Sequence, residues 1–380
     1  MSTNNIVDFA VIGAGMAGAS IAYELSKQGA SVIVLETEAH AAYHTTGRSA
    51  AFYSTAYGND TVRKITLASY DFYQNPPTGF CEHPMLKDFG ALYIANKHQL
   101  DSLHKLYHQV HPRVQNVELV ERDFVLNKVP QLKSDYVNAG LWEPDSKEID
   151  VATLLMGYIK SAKNHGCEFF FNRCVSSLSY KKNHWFIQAD QQHYQAKNII
   201  NAAGAWSDKI AQLAGAKTVG LIPKQRNICI AKSPDDLEAN RWPLVLDVDD
   251  TFYFKPDGGN ILITPADEIP VEPIDAFPDD ECIAVGIERF QQAMNVEIKH
   301  LIRKWAGLRS FVADRSPVVG PDPHVKGLFW LAGQGGYGIQ MAPALARLGA
   351  SLALDNRIPE DLESLGLELD SITPTRCYTD

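Results

Sequence analysis

The sequence predicts an α/β (α+β) chain in which a Rossmann-like dinucleotide-binding domain is interleaved with an antiparallel-sheet domain, and three observations support this. The first is the opening run Asp8-Phe9-Ala10-Val11-Ile12-Gly13-Ala14-Gly15-Met16-Ala17-Gly18, closed by Glu36 at the end of a second apolar run over 31–35. The second is a stretch of alternating short apolar runs over 222–264 with Asp257-Gly258-Gly259-Asn260 as a hairpin turn. The third is a strand, glycine-rich turn and helix pattern that returns at 328–354.

The opening run is a βαβ unit. Gly13 permits the tight turn after the strand, Gly15 lets the backbone approach a pyrophosphate, and Gly18 lets the helix pack closely on the sheet. Met16 and Ala17 open a helix whose N-terminus turns its positive end to the phosphates, with Ile21, Ala22 and Leu25 on its inner face. Glu36 follows Gly13 by 23 residues, near the roughly 20-residue spacing at which an acid reaches an adenosine ribose. An acid there disfavours a 2′-phosphate and so disfavours NADP.

After Glu36 a loop of small polar residues runs through Tyr43-His44-Thr45-Thr46-Gly47-Arg48-Ser49-Ala50-Ala51. A helix over 61–73, a strand over 91–95 and an amphipathic helix over 151–165 follow, then strands near 168–172, 185–189 and 197–201. The last runs into Ala202-Ala203-Gly204-Ala205-Trp206, small residues that admit a ligand or another backbone. Near the end come a strand over 328–331, a turn over 333–338 and a helix over 342–354. The nucleotide domain is thus expected in three pieces, 1–50, 145–220 and 310–380, around a second domain of 51–144 and 221–309.

With 45 acidic against 35 basic residues, a net charge of -10 and no basic cluster, nucleic-acid binding is disfavoured. No leader pattern is evident, and no apolar run approaches the roughly 18 residues that span a bilayer. Residence in the cytoplasm, or peripheral to the inner membrane, is expected. The six cysteines form no Cys-x-x-Cys pair and read as reduced thiols. No histidine set has metal spacing; His104 and His108 read as an exposed helical face.

The ordered blocks resemble the FAD-dependent D-amino acid oxidase and glycine oxidase family, and within it the bacterial D-arginine-type dehydrogenases. Beyond the opening run they include the 43–51 loop, Ala56-Tyr57-Gly58, Asn75-Pro76-Pro77, Gly79-Phe80-Cys81-Glu82-His83-Pro84 and Asn201-Ala202-Ala203-Gly204-Ala205-Trp206. Trp305-Ala306-Gly307-Leu308-Arg309-Ser310-Phe311-Val312-Ala313-Asp314 and Gln334-Gly335-Gly336-Tyr337-Gly338-Ile339-Gln340 complete the likeness, which spans nearly the whole chain.

The resemblance implies a D-amino acid oxidase-like fold and FAD as the dinucleotide, with 51–144 and 221–309 as the substrate domain. Thr45, Thr46, Arg48, Ser49 and Ala50 would pass beside the phosphates and flavin ring. Val175 would meet the adenine, Ala203, Gly204 and Trp206 the pyrophosphate side. Gly307, Gly333, Gly335, Gly336, Tyr337, Gly338, Ile339 and Gln340 would approach the flavin, where free N–H groups at a helix start stabilise negative charge. Relatives with covalent flavin carry a cysteine ahead of the Asp314 block; residues 307–313 have none, so FAD is expected to be non-covalent.

The implied reaction is oxidation of a D-amino acid by hydride transfer from Cα to flavin N5, the imino acid then hydrolysing to a 2-oxo acid and ammonia. Arg309 occupies the family's carboxylate-binding position and Arg226 matches the second arginine of the D-arginine type; a planar fork grips a carboxylate with two hydrogen bonds. Tyr57 and Tyr253 match its active-site tyrosines, and Gln340 and the Gly336 backbone complete the site. In the D-arginine type's register an acid is replaced here by Ala91 and a histidine by Phe52. A pocket without a counter-charge disfavours cationic side chains, so neutral, hydrophobic D-amino acids are expected. Oxidation of glycine, sarcosine or a 2-hydroxy acid such as 2-hydroxyglutarate is the alternative on the same fold, and a flavin-binding redox sensor the alternative of another class. The electron acceptor is a quinone, another carrier or oxygen, and a monomer or weak oligomer is expected.

Overall fold

The first strand, Val7–Ile12, ends on Gly13, whose φ of +103° and approach to Ala202 explain why no side chain is found there: a Cβ would lie 2.6 Å from the Ala202 carbonyl oxygen. One turn later a Cβ on Gly18 would meet the Gly13 carbonyl oxygen at 1.8 Å, so the helix Met16–Lys27 sits directly on the turn. The computed structural model describes residues 6–114, 116–234 and 237–378.

The strand Val7–Ile12 lies in the middle of an eight-stranded sheet, parallel to Val32–Leu35 on one side and to Gln192–Asn201 on the other. Glu168–Phe170 and Leu328–Ala332 extend the parallel core, and Val175–Lys181 and His184–Ala189 add an antiparallel ribbon to the first half of Gln192–Asn201. That strand starts five residues before the expected 197, because its first half pairs with the ribbon and only its second half with Val7–Ile12 and Leu328–Ala332. Both faces of the core are covered, and the runs Val32–Leu35 and Leu328–Ala332 are buried throughout. Helix Met16–Lys27 packs against Val151–Asn164 and Gly338–Asp355.

A second, nine-stranded sheet holds Ala91–Ala95, Ala139–Glu143, Ile222–Ala231, Leu244–Asp247, Tyr253–Asp257, Asn260–Thr264 and Leu301–Phe311 among its strands. Its hairpin closes where expected, with Asp257 opposite Asn260 around Gly258 and Gly259, whose φ values of +56° and +84° give the primed turn that suits twisted strands. Ala91–Ala95 and Leu244–Asp247 run parallel, so the sheet is not wholly antiparallel. The two strands come from distant parts of the chain, and no hairpin dictates their direction.

The helix expected at 342–354 begins at Gly338, with Pro343 inside it. Proline leaves the carbonyl four residues back without its usual donor. The Tyr73 hydroxyl, from helix Asp60–Gln74, donates to that carbonyl, Ile339 O. Ser69 Oγ accepts from Ala344 N at 3.1 Å and donates to Met341 O at 3.1 Å. A neighbouring helix therefore repairs the break, and the turn carrying Gly338 and Gln340 keeps its place. Among the described residues no helix is long and apolar enough to cross a membrane. Tyr73→Phe is expected to lower stability by about 1–2 kcal/mol, the cost of a half-buried carbonyl losing its donor, measured by urea unfolding.

Candidate active site

The two sheets enclose one continuous cavity of about 1060 Å³. Its walls on the nucleotide side include Gly13, Gly15, Met16, Ala17, Glu36 and Val175, and further along Ala203, Gly204 and Trp206. The 45–50 loop contributes Thr45, Thr46, Arg48, Ser49 and Ala50. The far end is formed by Phe52, Tyr57, Arg226, Tyr253, Gly307 and Arg309, facing Gly333, Gly335, Gly336, Gly338, Ile339 and Gln340. Nearly all the residues singled out by sequence thus line one cavity.

Three do not. Gly18 serves helix packing behind the wall. Tyr337 caps the helix Gly338–Asp355 and turns its ring to Tyr57 and Phe311, at centroid distances of 4.9 and 6.0 Å, off the cavity. Ala91 is fully buried in a strand covered on both faces, in the cluster with Ala56 and Tyr253, and does not reach the cavity. Ala91 is thus a core residue and not a lining one, a correction to its expected place in the site; Phe52 does face the cavity.

The nucleotide end is set by short bonds. Glu36 accepts from Ala14 N at 2.6 Å and Glu38 N at 3.0 Å, which fixes its carboxylate on the cavity rim. Thr46 Oγ1 accepts from Met16 N at 3.0 Å, and Thr45 donates to Leu308 O at 2.8 Å, tying the loop to helix and sheet. Arg48 is committed elsewhere than to phosphate: its guanidinium binds the Asp275 carboxylate and the carbonyls of Ala276 and Ala306, at 2.8 and 3.2 Å. It clamps the 273–276 segment over the cavity, where Tyr43 also donates to Asp275 at 3.2 Å. A glycine turn at a helix start, an acid on the rim and a cavity at the top of the roughly 300–1,000 Å³ range for ligand sites fit a dinucleotide with room for a substrate.

At the far end, antiparallel pairing sets Arg226 opposite Gly307 and Lys224 opposite Arg309. Period two puts all four on one face of the sheet, so the two arginines are diagonal neighbours. Arg309 is 8 % exposed; its Nη2 donates to the Tyr57 hydroxyl at 2.7 Å and its Nη1 to Glu268 at 3.2 Å. Its plane lies on Gly336, where a Cβ would come within 2.0 Å of Nη2. Arg226 is 4 % exposed, gives its Nε to Asp267 O at 2.8 Å, and has a buried Nη2 without a hydrogen-bond partner. Phe52 stands 5.3 Å from the Tyr57 ring and 6.3 Å from the Tyr253 ring, closing an aromatic wall.

Burial pushes the Tyr57 and Tyr253 hydroxyls up, with the arginines opposing it. Both phenols are therefore protonated donors near neutral pH. Gln340 is already in use: it accepts from Ser54 N at 3.2 Å and donates to Thr66 at 3.0 Å, joining helix Gly338–Asp355 to the segment before Tyr57.

Two acids that sequence reading passed over organise this end. Glu143 is buried and accepts from Ser54 Oγ, Thr55 N and Thr55 Oγ1 at 2.6–2.7 Å, pinning the segment that carries Tyr57. Burial raises its carboxyl, against those bonds. Glu268 gathers Arg309, Arg315 and Lys224. Burial disfavours its charge, but Arg315, Lys224 and Arg309 prevail and hold the carboxyl well below the usual range. Neither acid sits in a motif, and the partners of each are far away in sequence.

Gly336→Ala is expected to displace the Arg309 guanidinium and raise KM about tenfold or more while FAD stays bound, read from steady-state kinetics and the flavin spectrum.

The family model described as FAD dependent oxidoreductase matches residues 8–352. Mitochondrial dimethylglycine dehydrogenase of Rattus norvegicus is 22% identical over 95% of this chain, which spans 44% of that relative. The chain thus covers less than half the length of the dimethylglycine dehydrogenases it matches. L-proline dehydrogenase from P.horikoshii superposes with a TM-score of 0.85 at 20% identity over 98% of both chains. Glycine oxidase from Geobacillus kaustophilus gives 0.85 at 18% identity, over 99% of this chain and 100% of its own. The chain belongs to the FAD dependent oxidoreductase (DAO) family.

Proposed function

We propose that the protein oxidises a neutral amino acid at its Cα–N bond, with the D-isomers the sequence points to as first choice. The observation that carries this is the Arg309 guanidinium, buried on Gly336 beside the Tyr57 hydroxyl, with the buried Nη2 of Arg226 making no hydrogen bond and lying 3.6 and 3.7 Å from the Glu268 and Asp250 carboxylates. Two convergent cations and a phenol donor at the closed end of a cavity are suited to a carboxylate. Bound FAD supplies the hydride acceptor.

The chain's own task is orientation. Arg309 and Arg226 fix the carboxylate, Tyr57 donates beside them, and Phe52, Tyr57 and Tyr253 form an aromatic wall that suits an uncharged side chain. Residues 307–313 lack a cysteine, and Cys174, which lines the cavity, adjoins Val175 on the nucleotide side; we read the flavin as non-covalent. The same aromatic wall favours a second reading, an N-methylated glycine, since ring faces also accept methylated cations. The relatives named for dimethylglycine and glycine support it.

Anaerobic titration of the purified holoprotein with D- and L-alanine, -leucine and -phenylalanine, D-arginine, glycine, sarcosine and dimethylglycine, watching flavin absorbance, tests both. Bleaching by neutral D-isomers ahead of D-arginine is expected. Bleaching by sarcosine or dimethylglycine alone would select the second reading, and a clear lead for D-arginine would contradict the account of the pocket.

A further inference from the structure

Glu268 has no role in the reaction as described, yet it occupies the centre of the charged end of the site. Its Oε1 lies 3.2 Å from Arg309 Nη1 and 3.6 Å from Arg226 Nη2, between the two arginines. Lys224 donates to Oε2 at 2.9 Å, and Arg315 forks across both oxygens at 2.6 and 2.9 Å. Four cations surround one carboxylate. The chain on either side holds it there. Asp267 accepts from the backbone and side-chain amides of Asn227 at 2.8 and 2.6 Å, and its carbonyl takes Arg226 Nε. Ile269 and Pro270 pair with Gln225 and Lys224. The carboxylate is thus fixed directly behind the two arginines that line the cavity.

We propose that Glu268 is a positioning and specificity residue: an internal carboxylate that sets Arg226 and Arg309 for one incoming carboxylate and denies the cationic cluster to a second. This rests on the carboxylate site proposed above and deepens it. Glu268 takes up Lys224 and Arg315 and one N–H of Arg309, while Arg226 Nη2 is left buried and without a hydrogen bond. A monocarboxylate finds that donor. A dicarboxylate brings its second charge toward cations whose hydrogen bonds are already made, and meets the negative charge of Glu268. The class admitted is therefore monocarboxylic, which excludes glutamate-like and aspartate-like substrates and 2-hydroxyglutarate.

The test is a spectral titration of the FAD-loaded protein with acetate and with malonate, in the unaltered protein, Glu268→Gln and Glu268→Asp. In the unaltered protein malonate is expected to bind no more tightly than acetate. Glu268→Gln, which keeps shape and loses charge, should raise the malonate-to-acetate affinity ratio about tenfold or more. Glu268→Asp, which keeps charge, should retain the original ratio; a merely structural role would not separate the two variants. An unchanged ratio in Glu268→Gln, or equal gains in both variants, would overturn the proposal. Should Glu268→Gln not load FAD, a preference for malonate of about tenfold in the unaltered protein would still overturn it. Acetate binding that survives Arg309→Met would instead overturn the carboxylate site itself, whatever the Glu268 variants do.

Discussion

A guanidinium withdrawn from water must be solvated by the protein around it, and much of this fold arranges that service for Arg309. Burial of an unpaired charge is expensive, and breaking one partner of a buried pair leaves the other stranded. Arg309 keeps its charge through Glu268 and the Tyr57 hydroxyl, with the faces of Phe311 and Tyr337 at 5.3 and 5.9 Å. Gly336 supplies the flat surface on which the group lies, and Gly335 is equally constrained, because a Cβ there would strike the Phe311 ring at 2.1 Å. Gly335 and Gly336 are thus explained by a phenylalanine and an arginine of the other sheet.

The arrangement also joins the two sheets. Arg309 and Phe311 end the long strand of the second sheet, whereas Gly335 and Gly336 follow the last strand of the first. Gly335 N donates to Ser310 O at 2.9 Å, and Gln340 reaches Ser54 N from the next helix. Glu143 then fixes Ser54 and Thr55 ahead of Tyr57. Position at the charged end is therefore passed through a chain of buried polar bonds, each short in space and long in sequence. Arg48 does comparable work above the cavity by holding Asp275 and Ala276.

What was legible in the sequence is what local chemistry dictates. Gly13, Gly15 and Glu36 announce a nucleotide turn by spacing, Gly258-Gly259 announces a hairpin, and the ordered blocks carry the family. Local pattern fails where a partner lies far along the chain. Pro343 argues for a late helix start until Tyr73 and Ser69, some 270 residues earlier, are seen to meet the freed groups. Ala91 was expected in the pocket, but every residue of its strand is buried and Ala91 packs in the core with Ala56 and Tyr253. Arg48 and Gln340 both line the cavity, yet their polar atoms serve neighbouring chain. Glu143 and Glu268 gave no signal, since acids outside any motif ordinarily face water.

The most direct test of the central claim compares flavin reduction by an amino acid that bleaches the protein with reduction by the amine that lacks its carboxylate, in unaltered protein and Arg309→Met. If the buried guanidinium holds the carboxylate, the unaltered protein should favour the amino acid by about a hundredfold or more, and Arg309→Met should remove most of that preference while FAD remains bound. A preference that persists undiminished in Arg309→Met would contradict the account.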